Sequence, residues 1–310
     1  MTPLAVGRAK CGIQYIANLC LKINLKLGGH NVHPSPQGCA LVQDAPTMVI
    51  GADVYHAPPG TKRPSFAAVV SSMDRQLATY VTSVSAQLSH MEVIERMEEM
   101  ISHHLRRFYE LNRGVSPKRL IFYRDGVGVA HFPMLRKREI AAIRRACHQV
   151  GGVGYKPALT FIVVQKRNHC RMFVPRGNSV ENATPGTVID KEITSNSSFD
   201  FYLCSHHGLK GTSCPTHYHV LHDDLCLTAD ELQRFSFDLC HLYARCTKIV
   251  SNPAPCYYAH LAATQAHFYM SDFCEDGVEP FHDPQSQEQS LATAKFHPLV
   301  PRMQDRLYYA

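Results

Sequence analysis

The sequence predicts an α/β fold in which helices cover the faces of a mixed β-sheet. Three short apolar stretches typical of strands follow one another between residues 47 and 86, and helices then alternate with strands to residue 164. Consecutive strands followed by such an alternation indicate a mixed sheet with helices on its faces. Hydrophobic residues make up 45% of the 310 residues and charged residues 19%, so the chain can bury a sizeable core.

The first 45 residues are predicted to lead into one larger domain at 46–310. A helical pattern covers residues 14–27, and a loop rich in Gly, His and Pro follows at 28–38. This segment is too short to form a domain by itself. We therefore expect it to be the tail of something larger or a lead-in that packs on the domain after it.

The elements of that domain are predicted from the spacing of apolar residues. Short apolar or alternating runs predict strands at 48–52, 66–70, 80–86, 119–123 and 159–164. Helical spacing of apolar residues, including Ile94, Met97, Ile101 and Leu105, predicts a long helix at 90–111. A second helix is predicted between the last two of these strands, at 136–149.

The C-terminal half is predicted to be less regular. Residues 170–198 are rich in Asn, Ser, Gly and Thr and are expected to be irregular. Strands are predicted at 199–204 and 218–221, followed by helices at 229–243 and 256–269. The polar stretch at 274–293 is expected to be a mobile loop.

Charge and cysteine usage narrow the class of protein. The net charge of +6 and the pI near 8.7 permit an acidic partner, of which nucleic acid is the commonest. The 12 cysteines are scattered without a C-x-x-C pair, and several lie inside apolar runs. The sequence shows no signal-peptide core and no apolar stretch of roughly 18 residues. We expect a soluble intracellular protein with reduced thiols and no membrane association.

Two aspartates at strand ends are the first candidates for chemistry. Asp53 ends the apolar run at 48–52, and Asp125 ends the next buried strand. Carboxylates at the carboxyl edge of an open α/β sheet lie where such folds bind ligands, and a pair of them suits Mg²⁺ or Mn²⁺. The simpler interpretation is a turn, since Asp-Gly is a turn dipeptide. Spacing alone leaves the two interpretations level.

The motifs around these aspartates resemble those of the Piwi domain of eukaryotic Argonautes. The matching blocks occur in family order, at 51–56 (GADVYH), 122–127 (FYRDGV), 163–167 (VVQKR), 200–206 (DFYLCSH) and 253–260 (PAPCYYAH). The resemblance extends from about Asn18 to Ala310. It implies an RNase H-like fold, and it identifies residues 1–45 as the C-terminal remnant of a Mid-like domain with its linker.

The resemblance also implies a catalytic role for four residues. Slicing Argonautes use an Asp-Glu-Asp-His tetrad, which falls here on Asp53, Glu92, Asp125 and His260. Asp53, Asp125 and His260 would be ligands of two Mg²⁺ (or Mn²⁺) ions, and Glu92 would come from a mobile loop. Two cations can stabilise the attacking and leaving oxygens of an in-line phosphodiester displacement. Without the family, Glu92 would pass for a solvated glutamate in a first helical turn and His260 for a buried core histidine.

By the same resemblance, a set of basic, hydroxyl and aromatic side chains contacts a small guide RNA and its complementary target RNA. The set is Lys22, Lys26, Lys166, Arg167, His169, Arg171, His206, Arg245, Ser251 and Tyr257. Lys22 and Lys26 lie one helical turn apart and are implied to help hold the guide 5′-phosphate; the alternative is a solvated basic pair. Such contacts position the strands, and base pairing with the guide supplies specificity.

The sequence departs from the family in composition and in length. Cys214 and Gln265 stand where close relatives usually carry basic residues, which should weaken phosphate binding. Argonautes normally carry N-terminal, PAZ and Mid domains before Piwi, and only the last Mid-like helix is expected here. The sequence therefore predicts either a fragment or a domain that acts with help.

Two other functions compete with cleavage. One is a non-cleaving silencing protein that only binds RNA, and Piwi pockets of some relatives also hold tryptophans of effector proteins. The other is a zinc module built from a dense group of ligands, Cys204, His206, His207, Cys214, His217, His219 and His222. No standard paired spacing supports zinc, because His217 and His219 alternate along a predicted strand. By family, residence in the cytoplasm is expected, and nuclear relatives exist.

Overall fold

The computed structural model describes residues 12–35, 38–58, 64–208, 210–266, 268 and 306–309. Its main feature is an eight-stranded sheet with the strand order β3-β2-β1-β4-β5-β10-β9-β8, and β6 and β7 form a separate hairpin. The strands are β1 (Thr47–Tyr55), β2 (Ser65–Ser72), β3 (Tyr80–Gln87), β4 (Arg119–Asp125), β5 (Ala158–Gln165), β6 (Phe173–Arg176), β7 (Ser179–Asn182), β8 (Thr187–Ile189), β9 (Asp200–Cys204) and β10 (Thr216–Asp223).

Helices connect the strands and precede them. They are α1 (Ile13–Leu27), α2 (Ala40–Asp44), α3 (Met97–Leu111), α4 (Phe132–Leu135), α5 (Ala141–Gly151), α6 (Ala229–Cys240) and α7 (Ala254–Ala266). A π-helical turn at Arg136–Ile140 joins α4 to α5. In the described part of the chain, no helix combines the length and the apolar character that a membrane span requires.

The sheet is mixed, as the sequence predicts. β1 pairs in parallel with β4, and β4 with β5. β1–β2, β2–β3, β5–β10, β10–β9 and β9–β8 are antiparallel. The connection from β4 to β5 runs through α4 and α5, because a parallel crossover needs a dozen or more residues.

Alternate residues of the central strands enter two separate cores. Val49, Ile121 and Tyr123 point to the face covered by α6 and α7. Met48 and Ile50 point to the opposite face, which α3 and α5 cover. This period of two is the geometry of a strand, and burial on both faces explains why these strands are apolar throughout.

Several predicted boundaries are wrong for local reasons. The helix predicted at 90–111 begins only at Met97, because His90 adopts a positive φ of 58° and the chain turns there before α3. The irregular region predicted at 170–198 contains β6, β7 and β8. The helix predicted at 229–243 ends at Cys240, and the one predicted at 256–269 spans Ala254–Ala266. The loop predicted at 274–293 lies outside the described residues.

Candidate active site and nucleic-acid interface

The two aspartates lie side by side at one edge of the sheet. Asp125 is the last residue of β4, whereas Asp53 lies two residues before the end of β1 and not at the strand end. The parallel register pairs Ala52 with Arg124, so the next step along both strands brings Asp53 beside Asp125. Sequence reasoning placed both on neighbouring strands, and the structure confirms this placement.

The two carboxylates influence each other's ionisation. Burial and then the nearby Asp53 charge raise the pKa of Asp125, although Asn252 donates a hydrogen bond of 3.1 Å to its Oδ2. Asp53 is 7% exposed, and its Oδ1 accepts a hydrogen bond from the Val54 amide at 2.8 Å. Two carboxylates in such proximity disfavour double ionisation unless a cation lies between them. Carboxylate oxygens are the donors that Mg²⁺ and Mn²⁺ prefer, so this donor set fits such an ion.

His260 joins the pair from the helix packed on the sheet. Its Nδ1 lies 2.8 Å from Oδ2 of Asp53, and this hydrogen bond raises the pKa of His260. The imidazole is 55% exposed, so it is not the buried core histidine that its apolar helix would suggest. α7 can bring His260 this close because Gly51 of β1 lies against the first turn of α7. A Cβ at Gly51 would lie 2.2 Å from the carbonyl carbon of Pro255, so a larger residue would not fit there.

Glu92 reaches the same cleft from the irregular segment before α3. Its Oε1 lies 3.0 Å from Nε2 of His56, and this hydrogen bond lowers the pKa of Glu92. Nδ1 of His56 in turn lies 2.8 Å from Oγ of Ser65. Glu92 therefore belongs to a loop, not to the first turn of a helix, and its side chain is an ionised carboxylate at neutral pH.

A buried arginine connects Glu92 with Asp125. The guanidinium of Arg124 donates to the backbone oxygens of Asp125 at 2.8 Å and of Glu92 at 2.6 Å. Behind it, Glu139 lies with its Oε2 3.5 Å from Nε of Arg124 and accepts a hydrogen bond of 2.9 Å from the Ile94 amide. The π-helical turn carries Glu139, and such turns often occur at functional sites.

These residues line one open cleft with a volume of about 630 Å³. The lining consists of Asp53, Val54, Tyr55, His56, Glu92, Asp125, Gly126, Val127, Gly128, Gln165, Lys166, Arg167, Asn252, Tyr257 and His260. All four candidate catalytic residues and three of the candidate nucleic-acid contacts therefore share it. Sequence reasoning did not identify His56, Arg124, Asn252 or Glu139; the first two stand inside the quoted blocks beside the aspartates.

The ten candidate nucleic-acid contacts form two basic groups, the first of which begins in the cleft. Near the cleft, Nζ of Lys166 lies 3.5 Å from the hydroxyl of Tyr257, which lies 2.6 Å from Oγ of the buried Ser251. Burial and the neighbouring Lys166 lower the pKa of His206. Arg167, His169 and Arg171 follow on the exposed chain after β5.

The second basic group joins α1 to the chain before α7. Partial burial, then Arg245 and Lys22, lower the pKa of Lys26, so these three cations share one surface. Nη1 of Arg245 also lies 3.4 Å from the Tyr243 hydroxyl. The solvated basic pair considered for Lys22 and Lys26 is thus part of a larger group of positive charges that includes Arg245.

The two departures from the family have structural partners. Sγ of Cys214 lies 3.4 Å from the backbone oxygen of Lys166, beside the basic group at the cleft. Nε2 of Gln265 donates to the backbone oxygen of Tyr309 at 3.1 Å. Gln265 thus holds the C-terminal segment.

The residues of the zinc alternative separate in the structure. Among the described residues, one group of three side chains has ligand atoms within 4.8 Å of one another: Asp200, His217 and His219. It contains two of the seven residues of that alternative, together with Asp200, which the sequence did not suggest. The ten cysteines of the described residues are free thiols, as their scattered spacing predicts.

Comparison with known proteins identifies related folds. A sequence model of the Piwi domain matches residues 3–271. The C-terminal lobe of a budding yeast Argonaute is similar with a TM-score of 0.82 and 30% identity. The Kluyveromyces polysporus Argonaute with a guide RNA gives 0.81 and 30%, and Drosophila Piwi gives 0.71 and 25%. These matches cover 97%, 97% and 96% of this chain, which spans 62%, 37% and 36% of the respective structures.

Proposed function

The chain belongs to the Piwi domain family, with its RNase H-like fold, and on this premise we propose that it holds a small guide RNA paired with a target RNA and cleaves the target strand. The observation that carries the proposal is the convergence of Asp53, Asp125, His260 and Glu92 on one cleft flanked by Lys166 and Arg167. A similar structure, the Kluyveromyces polysporus Argonaute, was solved with a guide RNA.

Asp53, Asp125 and His260 are the residues that would hold divalent cations. Two such cations, when bound, neutralise charge on the attacking and leaving oxygens of a phosphodiester displacement. The carboxylates of the buried Asp53 and the half-buried Asp125 supply the negative charge that would bind them, and such a cation would offset the repulsion between the two aspartates. Nδ1 of His260 is held by Asp53, which leaves Nε2 for a ligand.

Glu92, which lines the same cleft, supports the chemical step. Because the hydrogen bond from His56 keeps its pKa low, the carboxylate accepts a hydrogen bond from water and orients that water toward the scissile phosphate. Arg124 fixes the backbone at Glu92 and at Asp125 together. The relative position of the two carboxylates is thus set by one buried side chain, as a preorganised site requires.

The basic residues hold the duplex without reading its sequence. Lys166 and Arg167 line the cleft beside the carboxylates, where they would neutralise phosphates on either side of the cut. The surface of Lys22, Lys26 and Arg245 would hold another phosphate of the guide. Specificity then comes from base pairing with the guide.

The test separates cleavage from binding. The chain is incubated with a labelled target paired to a 5′-phosphorylated guide, with Mg²⁺ and then with EDTA. Asp53→Asn should lower the cleavage rate at least about a thousandfold, because it removes several kcal/mol of charge stabilisation. It should leave duplex binding intact, since it removes a negative charge from a surface that binds phosphate.

The matched control is Asp44→Asn, which changes an exposed aspartate shortly before β1. It should cleave at the wild-type rate. Salt-sensitive duplex binding without any cut by the wild-type chain would favour the alternative function, a binding-only silencing module. Cleavage by Asp53→Asn at the wild-type rate would refute the catalytic assignment.

A further inference from the structure

A second group of potential metal ligands lies on the sheet where β5, β10 and β9 are neighbours. The antiparallel register places His219 opposite Asp200, and His217 precedes His219 by two residues on the same strand. Because side chains alternate along a strand, all three point to the same face. Nε2 of His217 lies 2.6 Å from Oδ2 of Asp200, and one ligand atom of each residue lies within 4.8 Å of the others.

Neighbouring aromatic rings and one backbone amide fix the orientation of the three groups. The ring of Tyr202 stacks on His217 with centroids 3.9 Å apart, and Phe132 contacts His219 edge-on at 5.0 Å. The side chain of Asp200 is 3% exposed, and its Oδ1 accepts a hydrogen bond of 2.8 Å from the Ser195 amide. Such outer contacts hold imidazole and carboxylate ligands in place at metal sites.

The two imidazoles are neutral and can therefore act as metal ligands. The rings of His217 and His219 lie with centroids 3.8 Å apart, where two imidazolium ions would repel each other. Burial lowers the pKa of His217, and burial together with His217 lowers the pKa of His219 to about 4. Two neutral imidazoles and one carboxylate form a donor set that is common for Zn²⁺.

We propose that Asp200, His217 and His219 bind one zinc ion, with the amide oxygen of Gln165 or a water molecule as the fourth ligand. Oε1 of Gln165 lies 3.3 Å from Nε2 of His219, so it is close enough to join. When zinc binds Nε2 of His217, the hydrogen bond to Asp200 is broken, and its proton leaves for solvent or moves to Nδ1.

The zinc would have a structural role. It would cross-link β9 with β10 and, through Gln165, fix the end of β5. Nε2 of Gln165 donates to the backbone oxygen of Val127 at 2.6 Å, and both residues line the cleft. The site consists of residues other than the carboxylates of the cleft, and its occupancy does not depend on the proposed nuclease function.

The experiment measures zinc on the intact chain. The protein is stripped with a chelator, incubated with Zn²⁺ in excess Mg²⁺, desalted and analysed for metal per chain. We compare His219→Gln and Asp200→Asn with His222→Gln, which removes a histidine from the same strand but outside the group. The number of zinc ions retained per chain should be higher by one in wild type and in His222→Gln than in His219→Gln or Asp200→Asn. Co²⁺ in place of Zn²⁺ should give the visible absorption of a tetrahedral site in the same two proteins only.

Zinc should also raise the thermal midpoint of wild type and of His222→Gln, because a ligand that binds only the folded state stabilises it. The midpoint of His219→Gln and Asp200→Asn should not respond to zinc, whatever its starting value. A wild-type chain that retains no zinc would overturn the proposal. So would two ligand variants that both retain the same stoichiometry and the same midpoint response as wild type.

Discussion

The buried pair of Arg124 and Glu139 gives the sharpest test of how the cleft is built. Glu139→Gln removes one charge from this pair and keeps the size of the side chain. The two side chains are 1% and 0% exposed, and no other acid contacts the guanidinium among the ion pairs of the described residues. The variant therefore removes the direct counter-charge of the buried Arg124 cation and leaves only the more distant carboxylates of Glu92 and Asp125 to interact with it.

The magnitude follows from burial. Burial raises the pKa of Glu139 in spite of Arg124 and of the Ile94 hydrogen bond, so desolvation outweighs the attraction between the partners. The intact pair thus contributes little net stability, but the Arg124 cation left behind keeps its desolvation cost and loses the attraction of its direct partner. Breaking a buried pair from one side costs about 3–5 kcal/mol. The matched control, Glu98→Gln, breaks a surface pair with Arg145 whose side chains are 39% and 59% exposed, and should cost about 0–1 kcal/mol.

The assay is urea unfolding followed by far-UV circular dichroism, because the chain has no tryptophan. A lower midpoint at unchanged slope reports lower stability. Hydrogen exchange of the Ile94 amide provides a local measurement, since this amide donates to Glu139. A free energy of unfolding within about 1 kcal/mol of wild type for Glu139→Gln would show that the pair is not isolated from water, and would refute the reasoning.

Three further predictions concern pH, packing and salt. His104 is buried and its pKa is lowered to about 3, so only the unfolded chain gains a proton at this residue as pH falls through 6.5. The free energy of unfolding should therefore fall by about 2 kcal/mol from pH 7 to pH 5. Urea titrations at both pH values should show that His104→Gln lacks this contribution to the pH dependence. Gly51→Ala should lower the free energy of unfolding by about 1–3 kcal/mol, measured by thermal unfolding, and should slow cleavage, because the new methyl group meets the Pro255 backbone. In the control Gly154→Ala the methyl group has open space, so stability should match wild type. Lys166→Gln should weaken duplex binding and reduce the slope of log affinity against log salt by about 1; an unchanged slope would place Lys166 away from phosphate.

The fold was predictable where burial follows a simple period. The strands β1, β2, β4 and β5 are apolar on both faces, so sequence patterns locate them within a few residues. The small strands β6, β7 and β8 were missed because each has only three or four residues, all of them exposed or half-buried, so no alternation of buried and exposed residues marks them. Tertiary pairing determines them, and local sequence does not.

The site was predictable to a different degree for each residue. Asp53 lies near the end of one apolar strand and Asp125 at the end of another, and their proximity follows from the parallel register. His260 could be assigned only through the resemblance, because nothing in an apolar helix reveals that one face lies over Gly51. The zinc alternative shows the reverse error, since a count of ligands in sequence included five residues outside the group and omitted Asp200, which only strand pairing brings opposite His219.

Glu92 shows why a loop residue can be positioned as well as one on a strand. Its carboxylate is held by His56, its carbonyl by Arg124, and the Ile94 amide after it by Glu139. Each of these partners belongs to a different part of the chain, so no window of sequence around Glu92 contains the information that places it. Arg124 also binds the carbonyl of Asp125. Any change that loosens this guanidinium therefore displaces two of the four candidate catalytic residues, Glu92 and Asp125, at once. A loss of stability and a loss of cleavage should thus occur together in Glu139→Gln, whereas Asp53→Asn should lose cleavage alone.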